Sequence, residues 1–303
     1  MDTMENITLA LDCETGVPNV FEFFTGLSFI HKWILVMPTG FYLMTITLFI
    51  LNLCTIIKYG QKETKSNVLI LVTLYPIVAT TSMVSIFMPR TYFFCDTIAH
   101  IVFVITSYQF YRYCINCIEG ESKFIAVSKG ESFTLAAPPC CCCCLCLKTS
   151  SITKEKFLWL RILVLQMAIV HVIIFSFINI LNVENPSVVE EIMLYCTPFL
   201  VVTILLAVWG FQITIRLLVP YYSNLNLLKK FLAFQLVLVF CKFQPVLLNL
   251  IMKQFEWSCE GSATVIIKIR TITQIIIQLE MLLLSLWAHF LYTSNNCRTT
   301  VSK

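Results

Sequence analysis

Seven long apolar stretches separated by short polar breaks set the pattern of the chain. The first runs from Trp33 to Ile57 without a charge, long enough to cross the roughly 30 Å hydrocarbon layer, and Lys58, Lys62 and Lys65 mark the basic loop after it. Pro38 and Gly40 loosen its first turns. A second stretch covers about Val68 to Met88 and ends at Pro89-Arg90; a third, about Tyr92 to Ile115, holds Asp96, His100 and Arg112 within a run of Ile, Val and Phe. The longest break, 119–156, precedes a fourth stretch near Phe157 to Ile180 with Arg161 and His171. Asn182-Val183-Glu184-Asn185-Pro186 supplies turn chemistry that stops it. The fifth covers about Ile192 to Thr214, the sixth about Phe231 to Met252, interrupted by Lys242 and Gln244-Pro245, and the seventh about Ile272 to Leu291. Residues Arg216 to Lys230 and Lys253 to Arg270 read as the connecting loops. The pattern predicts an all-α integral membrane protein, a seven-transmembrane-helix bundle over 33–291, flanked by an N-terminal tail (1–32) and a C-terminal tail (292–303).

Composition strengthens this picture: 58% of residues are hydrophobic, 13% are charged and the mean hydropathy is +0.83, too little polar surface for a water-soluble fold. The net charge of +4 is modest and no basic block points to nucleic acid. Where the cations fall matters more. Seven spans put the termini on opposite sides. The loops after the first, third and fifth spans, with the C-terminal tail, carry thirteen Lys and Arg; the other side carries five, namely Lys32, Arg90, Lys253, Lys268 and Arg270. The basic side is expected to be cytoplasmic, with the N-terminus outside and the C-terminus inside. Asn6-Ile7-Thr8 is then a glycosylation sequon in the outer tail, and the acidic fourth-to-fifth loop (Glu184, Glu190, Glu191) also lies outside. Residues 1–30 lack the basic start and continuous apolar middle of a secretory signal, so they are expected to be a retained extracellular tail.

Six of fifteen cysteines fall within seven positions, Cys140, Cys141, Cys142, Cys143, Cys144 and Cys146, in the loop 119–156. Contiguous thiols do not match the Cys-x-x-Cys spacing of zinc sites, and adjacent residues bridge only with strain. On a reducing, membrane-apposed side they suit S-palmitoylation. Lys148, Lys154 and Lys156 would add electrostatic attraction to the inner leaflet. Covalent palmitoyl groups are therefore expected, with no cofactor and no metal. Cys13 and Cys259 lie in outer segments where a disulfide is permitted, although Cys13 could equally stay free or pair with Cys95. Cys54, Cys114, Cys117, Cys196 and Cys241 read as small packing residues.

No phosphate loop, zinc-protease motif or nucleophile elbow is present, so no enzyme is indicated. The remaining signal is polar residues within the spans, which are costly there. Arg112 and Arg161 lie near cytoplasmic ends and are expected to snorkel. Asp96 reads either as half of a structural ion pair or as a group at a substrate entrance. Lys242 and Glu280 both fall about 16 Å from the inner boundary and are thus able to pair; they either fix helix packing or line a polar pathway. His100 and His171 each lie about 12–14 Å below the outer boundary and read as packed neutral imidazoles. Gln166, Gln235, Gln244, Gln274 and Gln278 supply amides that hold helices together or line a cavity for a mostly apolar solute.

Several short motifs then occur in a telling order: Pro89-Arg90 with Asp96, Glu119-Gly120 closing the third span, Pro138-Pro139 before the cysteine run, and Gln166 in the fourth span. Lys230-Phe231, Phe234-Gln235, Gln244-Pro245 and Glu280 follow. In these the chain resembles the alpha subunit family of the organic solute transporter. The resemblance implies a facilitative, bidirectional carrier of amphipathic organic anions such as bile acids and conjugated steroids. It further implies a single-span beta subunit as partner, higher oligomers of that heterodimer, and a basolateral plasma-membrane location, with retention in the endoplasmic reticulum without the partner. The candidate pathway residues are then Lys242, Glu280, Gln244, Gln278, Gln235 and Asp96. A seven-helix receptor is the alternative, although the third span ends Tyr111-Arg112-Tyr113 with no acid before the Arg; a trafficking or scaffold role is the other.

Overall fold

A computed structural model describes residues 20–26, 35–128, 132–133, 135, 150–222, 226–252, 254 and 265–293. Asn6, Cys13, Cys259, the cysteine run Cys140–Cys146 and, of the C-terminal tail, residues 294–303 lie outside the described residues.

Apart from one two-residue strand pair, the fold is α-helical, and among the described residues seven helices are long and apolar enough to cross a membrane. They are α1 (Val36–Tyr59), α2 (Lys65–Phe87), α3 (Tyr92–Cys117), α4 (Lys154–Glu184), α5 (Pro186–Leu218), α6 and α7 (Val265–Thr293). Helix α6 comprises Leu227–Leu238, a π-helical turn Val239–Phe243 and Gln244–Met252. Large apolar side chains such as Leu43, Ile50, Ile173, Phe177 and Leu250 are exposed, as a lipid-facing surface requires.

Several helices outrun the apolar stretches that announced them. Helix α5 begins at Pro186, α6 at Leu227 and α7 at Val265, so Glu190, Lys229, Lys230, Lys268 and Arg270 stand on helices instead of in loops. Hydropathy marks only the bilayer-thick part of a helix, while backbone hydrogen bonding carries it on into the interface. The turn expected before Pro186 is present: α4 ends at Glu184, and Asn185 leaves the helical region at ψ 89° ahead of the proline at the first position of α5. At its other end, α4 starts at Thr153, whose hydroxyl accepts from the Lys156 amide.

By packing, the chain divides into two compact units. One comprises Met1–Leu51, Tyr75–Ala99 and Ala233–His289. Among its described residues the core is small and aliphatic, with Ala79, Ile86, Val237, Met281, Leu284 and Ala288 buried. The other comprises Asn52–Leu74, His100–Leu232 and Phe290–Lys303. Its core is aromatic: Phe110, Phe211 and Phe231 meet at ring separations of 5.7–6.1 Å, and Phe124 stands edge-on to Phe157 and Tyr221. Within it α4 and α5 pair along their length, and a Cβ added at Gly210 would meet the Leu163 Cβ at 3.2 Å, so the glycine permits the close approach.

The long third-to-fourth connection in this second unit is built at both ends. After α3, Glu119 takes φ 58° and Gly120 φ 100°, and the Glu119 and Gly120 amides bond back to the Asn116 and Ile115 carbonyls, a Schellman closure. The short helix Glu121–Val127 follows, held by Phe124 and by Arg161, whose guanidinium bonds Glu121 at 2.6 Å. Arg161 is thus paired, whereas Arg112 is exposed as a snorkelling side chain would be. Strands Ser132–Phe133 and Ser150–Ser151 pair antiparallel, and the Trp209 indole donates to the Leu135 carbonyl at 3.2 Å. Both flanks of the cysteine run are therefore tied to the helices. Nearby, burial pushes the Tyr222 phenol up from its ordinary range, partly opposed by Lys123.

Candidate functional site

The first unit holds a polar centre assembled from α2, α3, α6 and α7. Its origin is Pro245. A proline has no amide proton, and its ring crowds the carbonyl one turn earlier. The helix answers with the π turn Val239–Phe243, in which the Gln244 amide reaches back to Val239. Such turns carry an extra residue and rotate what precedes them relative to an ideal α-helix, and they recur at functional sites.

Lys242 lies in that turn. Its Nζ donates to both carboxylate oxygens of Asp96 on α3, each at 2.8 Å, and the two side chains remain 30% and 33% exposed. The expected Lys242–Glu280 pairing is not what forms. Depth along the helix axis had matched those two residues, but depth says nothing about the side of the helix a residue occupies. Glu280 on α7 instead has the Gln244 amide as hydrogen-bonding neighbour, and its Oε2 is buried with no partner among the described residues. Cys241 lies within electrostatic reach of Lys242, Asp96 and Glu280 together, so the three ionisable groups share one locality.

Beside the ion pair is a cavity of about 20 Å³, room for one water molecule. Thr81, Ser82, Ser85, Tyr92, Asp96 and Gln274 supply its polar lining. The Thr81, Ser82 and Ser85 hydroxyls donate to the carbonyls of Val78, Gln274 and Thr81 at 2.9–3.0 Å. With their protons so committed, they present lone pairs to the cavity. The Arg270 guanidinium stacks over the Tyr92 ring at 4.6 Å.

Of the remaining candidates, Gln278 is fully buried and donates to the Ala79 carbonyl at 2.6 Å, a tie between α7 and α2. Gln235 is half-buried on α6 and is not among the residues lining the cavity. The structure therefore groups Asp96, Lys242, Gln244 and Glu280, gives Gln278 a packing role and leaves Gln235 apart.

The second unit holds two buried polar arrangements that single-residue inspection did not assemble. His100 Nε2 and His171 Nδ1 are 2.6 Å apart, and His171 Nε2 lies 2.7 Å from the Thr203 hydroxyl, linking α3, α4 and α5. Gln166 supports the same point by donating to the Thr203 carbonyl at 3.1 Å. The equal depths of the two histidines in the sequence were the available signal. Lys230, counted above with a cytoplasmic loop, is instead fully buried at the base of α6. Its Nζ donates to the Tyr113 hydroxyl at 2.8 Å and lies 5.3 Å from the ring centroids of Tyr113 and Tyr292. Nothing local distinguishes it from its exposed neighbour Lys229.

A family profile described as "Organic solute transporter Ostalpha" matches residues 34–297. An "Organic solute transporter alpha-like protein" of Drosophila melanogaster is 28% identical over 299 residues, covering 96% of this chain and 91% of that protein. An "Organic solute transporter subunit alpha" of Danio rerio is 21% identical over 285 residues, covering 92% and 87%. No solved structure matches.

Proposed function

The chain belongs to the organic solute transporter alpha family, and from that premise we propose that it is a facilitative, bidirectional carrier of amphipathic organic anions, with bile acids and conjugated steroids as its substrate class. Membership in the family supports a transport role and a multi-pass membrane location. The observation that carries the finer reading is the Asp96–Lys242 pair. A lysine in a membrane-spanning helix is held in a π turn, partly exposed, beside a polar cavity. A buried ion pair is a weak stabiliser and an effective way to build a polar pathway. Lys242 supplies the countercharge for an anion, and Glu280 and Gln244 supply hydrogen-bonding groups.

The zebrafish relative is named as a subunit alpha, which supports a heteromeric carrier here, with a single-span beta subunit and a plasma-membrane site of action. S-acylation of Cys140–Cys144 and Cys146, glycosylation of Asn6 and a Cys13–Cys259 disulfide complete the proposal. The acylation reading rests on the run of contiguous thiols itself, followed by Lys148, Lys154 and Lys156.

Uptake and efflux of a radiolabelled steroid sulfate in cells expressing the chain with a single-span partner test this reading. Saturable flux that follows the gradient in both directions is the expected result, and its weakening in Lys242→Met ties it to the site. Absence of saturable flux in the wild type, with both chains at the surface, would remove the reading.

A further inference from the structure

We infer that Asp96 is an internal stand-in for the solute's anionic group, occupying Lys242 until a transported anion displaces it, an inference that rests on the transport reading above. The Asp96 carboxylate takes both of its contacts from one ammonium, the position any carboxylate or sulfate ester would take there. The pair is about one-third exposed, so neither side chain is sealed within the helix packing.

Exchange of one anion for another on Lys242 leaves the lysine neutralised throughout, whereas an empty lysine within the membrane would be costly. The displaced carboxylate has a second place to go. Asp96 lines the same cavity as Tyr92, and the Arg270 guanidinium lies 4.6 Å from the Tyr92 ring centroid. A second cation thus stands at the same aromatic residue, toward which a displaced Asp96 carboxylate can turn. The Thr81, Ser82 and Ser85 hydroxyls do not compete to hold it, since their protons already go to carbonyls. Asp96 therefore sets affinity and drives release: it raises the threshold for binding and, on returning to Lys242, expels the anion. This makes it a specificity-determining residue and not a mere helix tie.

The test is steroid sulfate uptake at varied concentration, per copy at the cell surface, in cells expressing the chain with its single-span partner. Asp96→Asn is expected to lower KM by roughly tenfold and to lower the maximal rate as well, because release loses its driving group. Lys242→Met is expected to raise KM. The charge-exchanged variant, Asp96→Lys with Lys242→Asp, keeps an ion pair for folding and is expected to reach the surface and retain saturable uptake. An Asp96→Asn KM equal to that of the wild type overturns the exchange. So does a charge-exchanged variant that reaches the surface without saturable uptake. Failure of the wild type to transport would instead strike at the function itself.

Discussion

The Thr203 hydroxyl decides where the protons of His100 and His171 sit. It lies 2.7 Å from the Leu200 carbonyl, which can only accept, so the hydroxyl proton is committed there. The Thr203 oxygen must then accept from His171 Nε2, which leaves His171 Nδ1 to accept from His100 Nε2. The result is one direction of donation from His100 through His171 and Thr203 to the α5 backbone. The link between these two buried rings is the new element. His171→Leu deprives both neighbours of a partner and should cost about 2–4 kcal/mol, read as a lowered unfolding midpoint of the purified protein in detergent. His171→Leu combined with His100→Phe should cost less than the sum of the two single changes, because the donor and acceptor leave together.

At the scale of the element, the π turn of α6 fixes the side on which Lys242 stands. Each residue turns an α-helix by about 100°, so absorbing one extra residue moves everything before it to a different face. Pro245→Ala restores the missing amide proton and removes the reason for the turn. The helix should then revert toward regular geometry and carry Lys242 away from Asp96. Loss of steroid sulfate uptake with surface amount preserved is the expected outcome, and unchanged uptake would show that the turn has another cause. Here the sequence was informative but incomplete. Gln244-Pro245 announced an interruption, and Lys242 and Glu280 announced buried charge, yet the pairing depends on rotation about the helix axis, which hydropathy does not encode. The helix count was legible because lipid forces long apolar runs. The cation–π seat of Lys230 was not, because Tyr113 and Tyr292 come from helices remote in the chain.

For the whole molecule, the loop charges predict an outer N-terminus and an inner third-to-fourth loop, and moving Lys230 from loop to helix leaves the imbalance intact. An outer N-terminus and an inner third-to-fourth loop require Asn6 and the cysteine run to be modified on opposite sides of the membrane. Wild-type protein from animal cells should lose mass on glycosidase treatment, and Asn6→Gln should abolish that loss. The same protein should lose acyl groups to hydroxylamine, and replacing Cys140–Cys144 and Cys146 by Ser should abolish that second loss. Both modifications on one chain establish the topology; a glycosylated cysteine-loop sequon inserted beside Ser150 would reverse it.

The close pairing of α4 and α5 has a consequence for where the protein rests. Their apolar segments, Phe157 to Ile180 and Ile192 to Ile215, each extend about 36 Å along the helix axis. Hydrocarbon thickness is about 27 Å in the endoplasmic reticulum and about 32–33 Å in a sterol-rich plasma membrane. Two helices joined through the single residue Asn185 and held together through Gly210 tilt as one body, so a thin membrane must tilt or deform around both at once. The hairpin is thus a gauge of bilayer thickness, closer in length to a thick, sterol-rich bilayer than to a thin one.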